Sequence, residues 1–135
     1  MSESTEAPQV GARTARILVV DDEEDIRQIC VRALTNAGYK AFAVPDAALA
    51  REIIDREELD MLIVDIYMPE EDGISLLKYV HQAQPRLPAI LITGYAATNT
   101  VIDAIRLNVR DYLCKPFSLQ QLLSAVREGL EQSTE

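Results

Sequence analysis

The stretch Leu62-Ile63-Val64-Asp65-Ile66-Tyr67-Met68-Pro69-Glu70-Glu71-Asp72-Gly73 decides how the rest of the chain is read. A short apolar run ends in one carboxylate, Asp65, and a turn carrying Pro69 and Gly73 follows at once. Apolar runs of this length bounded by turn signals are buried strands. The run predicts a strand over Met61–Asp65 with Asp65 at its carboxyl end. A charge is rarely kept in such a place for stability, because desolvating it is costly unless it is paired. Asp65 therefore reads as a residue kept for chemistry, and the neighbouring elements as the frame that holds it.

Working outward, apolar strands alternate with amphipathic helices. Before the central run, Arg16–Val20 is a strand, and the acidic run Asp21–Asp25 opens a helix whose positive N-terminal end suits carboxylates. Ile26, Ile29, Cys30, Ala33 and Leu34 recur at helical spacing and Gly38 ends that helix. Lys40–Val44 is the second strand, and Asp46 caps a helix with Leu49, Ile53 and Ile54 on its inner face. After the central run come a helix over Gly73–Ala83 with Ile74, Leu77 and Val80 inward, a strand over Ala89–Thr93, and a helix over Thr98–Asn108. Asp111–Cys114 is the fifth strand, and Ser118 caps a last helix to Glu131 with Leu119, Leu122, Leu123, Val126 and Leu130 as its stripe. Five strand–helix units imply a parallel sheet covered on both faces and joined by right-handed crossovers. A closed barrel of this kind needs about eight units, so the open, doubly wound sheet is expected. Residues 1–15 and 132–135 read as tails, the first disordered, and 16–131 as one domain.

Composition narrows the function classes. A chain of 135 residues, 48% hydrophobic and 26% charged, fits one globular domain. Its formal net charge of -9 argues against direct binding to nucleic acid or an anionic membrane. No apolar run approaches the ~20 residues of a membrane span and no signal peptide opens the chain, so the cytoplasm is the expected compartment. Cys30 and Cys114 are far apart in apolar segments and read as two buried, reduced thiols.

Ligands of open parallel sheets bind beyond the carboxyl ends of the strands, where strand order reverses. For the flavodoxin-like order 2-1-3-4-5 that point lies between strands one and three. Strand one ends in Asp21-Asp22, strand three in Asp65, strand four in Thr93-Gly94 and strand five in Lys115-Pro116. Strand two, on the far side of the switch point, ends in Val44-Pro45 and brings no comparable group. Three carboxylates gathered together repel one another unless a cation joins them, and a few hard oxygen ligands suit Mg²⁺. Lys115 offers a point charge and Thr93 a hydroxyl, both suited to phosphoryl oxygens, while Gly94 leaves the adjacent space open. A carboxylate can attack phosphorus and form an aspartyl-phosphate, so Asp65 reads as a phosphoryl acceptor.

These pieces, Val-Val-Asp-Asp, Val-Asp-Ile-Tyr-Met-Pro-x-x-Asp-Gly, Ile-Leu-Ile-Thr-Gly-Tyr and Asp-Tyr-Leu-Cys-Lys-Pro-Phe, stand in order at strand ends. Together they resemble the receiver domains of bacterial two-component response regulators, of the single-domain kind similar to chemotaxis regulators, over Arg16 to about Glu131. The strand order comes with that resemblance. It implies phosphorylation of Asp65 from a sensor histidine kinase or a histidine phosphotransfer protein. It implies Mg²⁺ held by Asp22, Asp65 and the backbone carbonyl of Tyr67, with Asp21 helping through water. Thr93 and Lys115 would contact the phosphoryl group and Tyr112 would be an aromatic switch. A cis bond before Pro116 is also implied, as is output to another protein through the face of the fourth helix, fifth strand and last helix. The chain ends soon after its last helix, so no output domain is expected within it. A phosphorelay intermediate or phosphate sink is the alternative role.

Other readings are weaker. A phosphatase of the haloacid-dehalogenase type would want a second Asp at Tyr67 and a cap insertion. A flavodoxin-like electron carrier would want a phosphate-cradling loop where Asp21-Asp22 stands, and no glycine-rich nucleotide loop is present. Glu23, Glu24 and Asp25 read as solvated first-turn charges, Asp72-Gly73 as a turn, and His81 as an exposed residue without function. Asn108-Val109 departs from the small pair common in the family, but Asn tolerates left-handed backbone. Tyr67 and Tyr95, bulky residues two past Asp65 and Thr93, bear on how long a phosphoryl group persists.

Overall fold

The five apolar runs lie side by side in one parallel sheet, in the order 2-1-3-4-5 when they are numbered along the chain. The computed structural model describes residues 9–10, 13–68, 71–94 and 107–133. Four strands have the expected bounds, Arg16–Val20, Lys40–Val44, Met61–Asp65 and Ala89–Thr93. The fifth, Val109–Cys114, starts two residues earlier than expected. Asn108 takes a left-handed φ of 64°, the conformation its short polar side chain tolerates, and its carbonyl accepts the Ala89 N–H at 3.2 Å. The ladder thus begins at once, with an irregularity that pairs Ala89 with Val109 and Ile90 with Asp111.

Alternation along each strand divides the core in two. Leu18, Val20, Leu62, Val64 and Leu91 face Ala47, Ala50, Ile54, Leu76, Leu77 and Val80 on one side. Ile17, Val19, Met61, Ile63, Ile90 and Ile92 face Cys30, Leu34, Leu122, Val126 and Leu130 on the other. The helices Ala47–Arg56 and Gly73–Ala83 therefore cover one face, and Glu24–Asn36 and Leu119–Ser133 the opposite face. The central strand is buried at every position, as a strand covered on both sides must be. The expected helix over 98–108 lies outside the described residues except for its end, where Leu107 and Asn108 form a turn. No described helix is long and apolar enough to cross a membrane.

Local chemistry explains where the helices begin. Asp46 accepts the Leu49 N–H at 2.9 Å, Asp72 accepts the Ser75 N–H at 2.9 Å, and Ser118 Oγ accepts the Gln121 N–H at 3.0 Å while Gln121 answers to the Ser118 N–H at 2.8 Å. The acidic run opens the first helix with Glu23 as N-cap and Glu24 and Asp25 in the first turn, while Asp21 is committed elsewhere: its Oδ1 accepts the Glu23 N–H and its carbonyl accepts Arg27 Nη1. The expected inward faces of the helices need correction. Leu49 is 41% exposed, and the small Ala47 and Ala50 are turned inward with Ile54; the Asp46 cap sets the helix phase, and side-chain size does not. Ile29 and Leu119 are likewise exposed.

The N-terminal tail is shorter than expected. Ala15 is fully buried and its carbonyl accepts the Lys40 N–H at 3.0 Å, while Gln9–Val10 pairs antiparallel with Arg13–Thr14. A small residue gives little hydrophobic signal, so its burial was hidden in the sequence. The cysteines also differ from each other: both are free, Cys30 is buried, and Cys114, the last residue of the edge strand, is exposed.

Candidate functional site

Strand register levels the polar strand ends. Val20 pairs with Val64, Asp65 with Ile92, and Thr93 with Cys114, so Asp21, Asp65, Thr93 and Lys115 all emerge along one edge of the sheet. Asp21 and Thr93 are fully buried and Asp65 is 4% exposed; among the described residues Asp21 and Asp65 are the buried carboxylates.

One lysine serves three carboxylates. Lys115 Nζ lies 2.9 Å from Asp21 Oδ2, 3.1 Å from Asp65 Oδ2 and 2.5 Å from Glu23 Oε1. Its side chain is 15% exposed, which excludes a merely solvated surface charge. The peptide bond Lys115–Pro116 is cis, and the Lys115 N–H donates to the Thr93 carbonyl at 2.7 Å. Burial pushes the Asp65 carboxyl above its ordinary range; the Lys115 hydrogen bond opposes this, the neighbouring Asp21 charge adds to it, and the Tyr67 N–H at 3.1 Å opposes it. Burial raises Asp21 as well, against the Glu23 N–H and Lys115. Burial works against the charge on Lys115, but the surrounding carboxylates of Glu23, Asp21 and Asp65 outweigh it and hold the ammonium above the usual lysine range.

The negative charge is in excess, and its geometry suits a cation. Asp21, Asp22 and Asp65 each offer one oxygen within 4.8 Å of the others'. Asp21 Oδ2 is buried and makes no hydrogen bond, its approach to Lys115 being an ion pair without hydrogen-bond alignment. A buried carboxylate oxygen without a hydrogen bond, sharing one ammonium with its neighbours and standing beside two more carboxylates, is a ligand set for a hard, oxygen-seeking ion, and the residues fit Mg²⁺.

Tyr67 is 44% exposed at the rim, and Tyr95 lies outside the described residues. A side-chain atom added at Gly94 would meet nothing within 4 Å, so the space beside Thr93 is open as expected. Tyr112 is half-buried opposite Leu91 and packs on the core under the second and third helices; its hydroxyl accepts from Cys114 Sγ at 3.6 Å. His81 is exposed.

Sequence reasoning missed two residues. Glu23, read as a solvated charge, is on Lys115. Gly73, read as an ordinary turn, is a close approach: a Cβ there would lie 2.3 Å from the Asp65 carbonyl oxygen and 2.8 Å from Val64 Cγ1, and its N–H donates to Ile66 O at 2.7 Å. The helix that follows the acceptor can start only where no side chain intervenes. A Gly after an Asp was visible; its distance from the strand was not.

Comparison with known proteins agrees with this arrangement. The family model described as the response regulator receiver domain matches residues 17–127. The regulatory protein AtoC of Escherichia coli K12 is 35% identical over 116 residues, which is 86% of this chain and 25% of AtoC. The transcriptional regulatory protein GltR of Pseudomonas aeruginosa is 32% identical over 92% of this chain and 52% of its own length. The chain thus spans a quarter to a half of the length of these curated relatives. Among solved structures, the signal receiver domain of an HD domain-containing protein from Pseudomonas fluorescens Pf-5 superposes with a TM-score of 0.84 at 34% identity, covering 90% of this chain and 98% of that one. A CheY-like receiver domain protein from Methanospirillum hungatei JF-1 gives 0.85 at 28% identity over 89% and 96%. With the family's model matched from the first strand into the last helix and its fold reproduced, this chain belongs to the response regulator receiver domains of two-component systems.

Proposed function

We propose that Asp65 accepts a phosphoryl group from a phosphohistidine of a sensor kinase or phosphotransfer protein, and that the phosphorylated domain signals by binding another protein. One observation carries this reading: a carboxylate only 4% exposed ends the central strand, beside one lysine and two further carboxylates. An Asp65 carboxylate oxygen forms the new bond to phosphorus as the bond from phosphorus to the imidazole nitrogen breaks, and the imidazole leaves with that electron pair. Asp21, Asp22, Asp65 and the backbone carbonyl of Tyr67 would hold Mg²⁺. Such an ion supplies charge neutralisation at the phosphoryl oxygens. Lys115 would donate to one phosphoryl oxygen and Thr93 to another, and the Tyr67 N–H on Asp65 Oδ1 and the Lys115 ammonium on Oδ2 fix the orientation of the carboxylate.

Output follows from what changes. A Thr93 hydroxyl drawn toward the phosphoryl group leaves room into which the half-buried Tyr112 ring can turn, one strand away. That couples the site to the surface of the fifth strand and the last helix, where a downstream partner would read the state. The protein turns over no external substrate in this reading, works in the cytoplasm, and touches neither nucleic acid nor membrane itself. A role as phosphorelay intermediate or phosphate sink uses the same acceptor. A haloacid-dehalogenase-type phosphatase is disfavoured by Tyr67, which stands where a second acid is needed.

The test is incubation with acetyl phosphate and Mg²⁺, followed by peptide mapping by mass spectrometry. One added phosphoryl group on Asp65, lost in Asp65→Asn, is expected. A group mapped to any other residue of the wild type contradicts the assignment.

A further inference from the structure

We propose that Glu23 is a positioning residue that latches Lys115 and competes with the incoming phosphoryl group for it. This rests on the acceptor reading given above.

Glu23 is the N-cap of the first helix, a place where Ser, Thr, Asp or Asn normally turns back to accept a first-turn N–H. Its side chain makes no such bond. It reaches instead across to Lys115, 92 positions along the chain, and makes the shortest of the three ammonium contacts at 2.5 Å. Its backbone N–H meanwhile donates to Asp21 Oδ1 at 2.8 Å, so the same residue grips both Asp21 and its lysine.

An ammonium has three N–H donors, and here three carboxylates face it. Glu23 and Asp65 accept hydrogen bonds from it and Asp21 is held by charge, so a phosphoryl oxygen that draws Lys115 into the site weakens one of these contacts. Asp21 and Asp65 are buried, and until the bond from Asp65 to phosphorus has formed, stripping either of its partner leaves an uncompensated charge inside the protein. The Glu23 side chain is 58% exposed; released, it is solvated by water at once. Glu23 is therefore the partner that yields. Until it does, it keeps Lys115 drawn toward the rim and places a negative charge in the path of an anionic donor. Both effects slow the filling of the site and neither touches the reacting atoms.

Rates of phosphorylation by acetyl phosphate at saturating Mg²⁺ and low ionic strength distinguish a latch from bulk charge. Four proteins are compared: wild type, Glu23→Gln, Glu23→Asp and Glu24→Gln. Glutamine keeps the length and loses the charge; aspartate keeps the charge and loses the reach; Glu24→Gln removes one charge from the adjacent exposed position. A latch raises the rate in both Glu23 variants, by about threefold for an exposed ion pair, and leaves Glu24→Gln near wild type. The ammonium signal of Lys115 in ¹H–¹⁵N spectra should be protected from exchange in the wild type and broadened in both Glu23 variants, a readout that a general loss of stability does not move. Equal rates in all four proteins, or a rise shared by Glu23→Gln and Glu24→Gln but absent from Glu23→Asp, overturns the latch while the acceptor reading stands. A wild type that takes no phosphoryl group on Asp65 overturns both.

Discussion

The two edges of the sheet treat charge in opposite ways. At the amino edge, Arg16 is matched group for group: Nη2 meets Glu57 Oε1 at 2.7 Å, Nε donates to the Glu58 carbonyl at 2.9 Å, its backbone N–H donates to Asp60 Oδ2 at 2.7 Å, and the guanidinium lies 5.1 Å over the Phe42 ring. At the carboxyl edge a single ammonium is divided among Asp21, Glu23 and Asp65, with Asp22 alongside. The first edge is acidic and settled, the second acidic and short of cations. A matched set needs nothing more and belongs to the fold. An unmatched set with two carboxylates buried costs stability, and a bound cation would complete it.

The largest expected effect concerns the backbone that holds the unmatched edge in place. Gly73→Ala puts a methyl group 2.3 Å from the Asp65 carbonyl oxygen, and overpacking of this kind costs about 2 to 3 kcal/mol. Urea denaturation should show it, and phosphorylation should slow in the folded fraction as the acceptor strand shifts. A neutral Gly73→Ala would mean that the carboxyl edge is not tightly registered at all.

The second effect contrasts the edges by sign. Without divalent cations, Asp21→Asn and Asp65→Asn should each stabilise the fold by about 1 kcal/mol, because each removes a poorly compensated buried charge. Asp60→Asn, at the matched edge, should destabilise by about 1 kcal/mol. Acidity sharpens the contrast. Burial raises the Asp21 and Asp65 carboxyls above their ordinary value of 3.8, so the folded state binds their protons more tightly than the unfolded state does. The stability they contribute is fully present below pH 3.8 and is lost as pH rises through their raised values. Denaturation curves from acid toward neutral pH should therefore fall more steeply for the wild type than for either Asn variant. The same sign at both edges, or parallel pH curves, would break the comparison.

The smallest effect is kinetic. Hydrolysis of an aspartyl-phosphate needs a water aligned opposite the Asp65 oxygen, and Tyr67 stands at that rim, 44% exposed. A phenol neither orients water as a carboxylate or carboxamide does nor leaves the path wide. Tyr67→Asn combined with Tyr95→Glu should lose the phosphoryl group about threefold faster at saturating Mg²⁺, because only water alignment in the transition state changes. Equal or slower loss would make the tyrosines partner contacts instead.

Much of this was legible in the sequence, and for a physical reason. Strand ends are where a buried apolar run meets a polar group, so Asp21, Asp65, Thr93 and Lys115 could be assigned to one edge from order alone, and the observed register brings them level. Helix faces were less legible. Leu49 is larger and more apolar than Ala47 or Ala50, yet the cap at Asp46 turns it outward. Glu23 was hidden for a different reason: its partner is 92 positions away, and nothing local separates a first-turn carboxylate in water from one on a lysine. Gly73 was visible as a turn residue but not as a contact, since a missing side chain announces permission and not proximity.

The central claim is that the unmatched carboxyl edge is built to be completed by a cation and then a phosphoryl group. Amide NMR spectra recorded on adding Mg²⁺, and then acetyl phosphate, test it in one series. The account predicts saturable shifts at one ion per chain around Asp21, Asp22, Asp65 and Tyr67, no shifts at Glu57, Glu58 and Asp60, a second set of shifts spreading to Thr93 and Tyr112 on addition of the phosphodonor, and loss of that second set in Asp65→Asn. Mg²⁺ shifts of equal size at both edges, or a phosphodonor response that survives in Asp65→Asn, would contradict it.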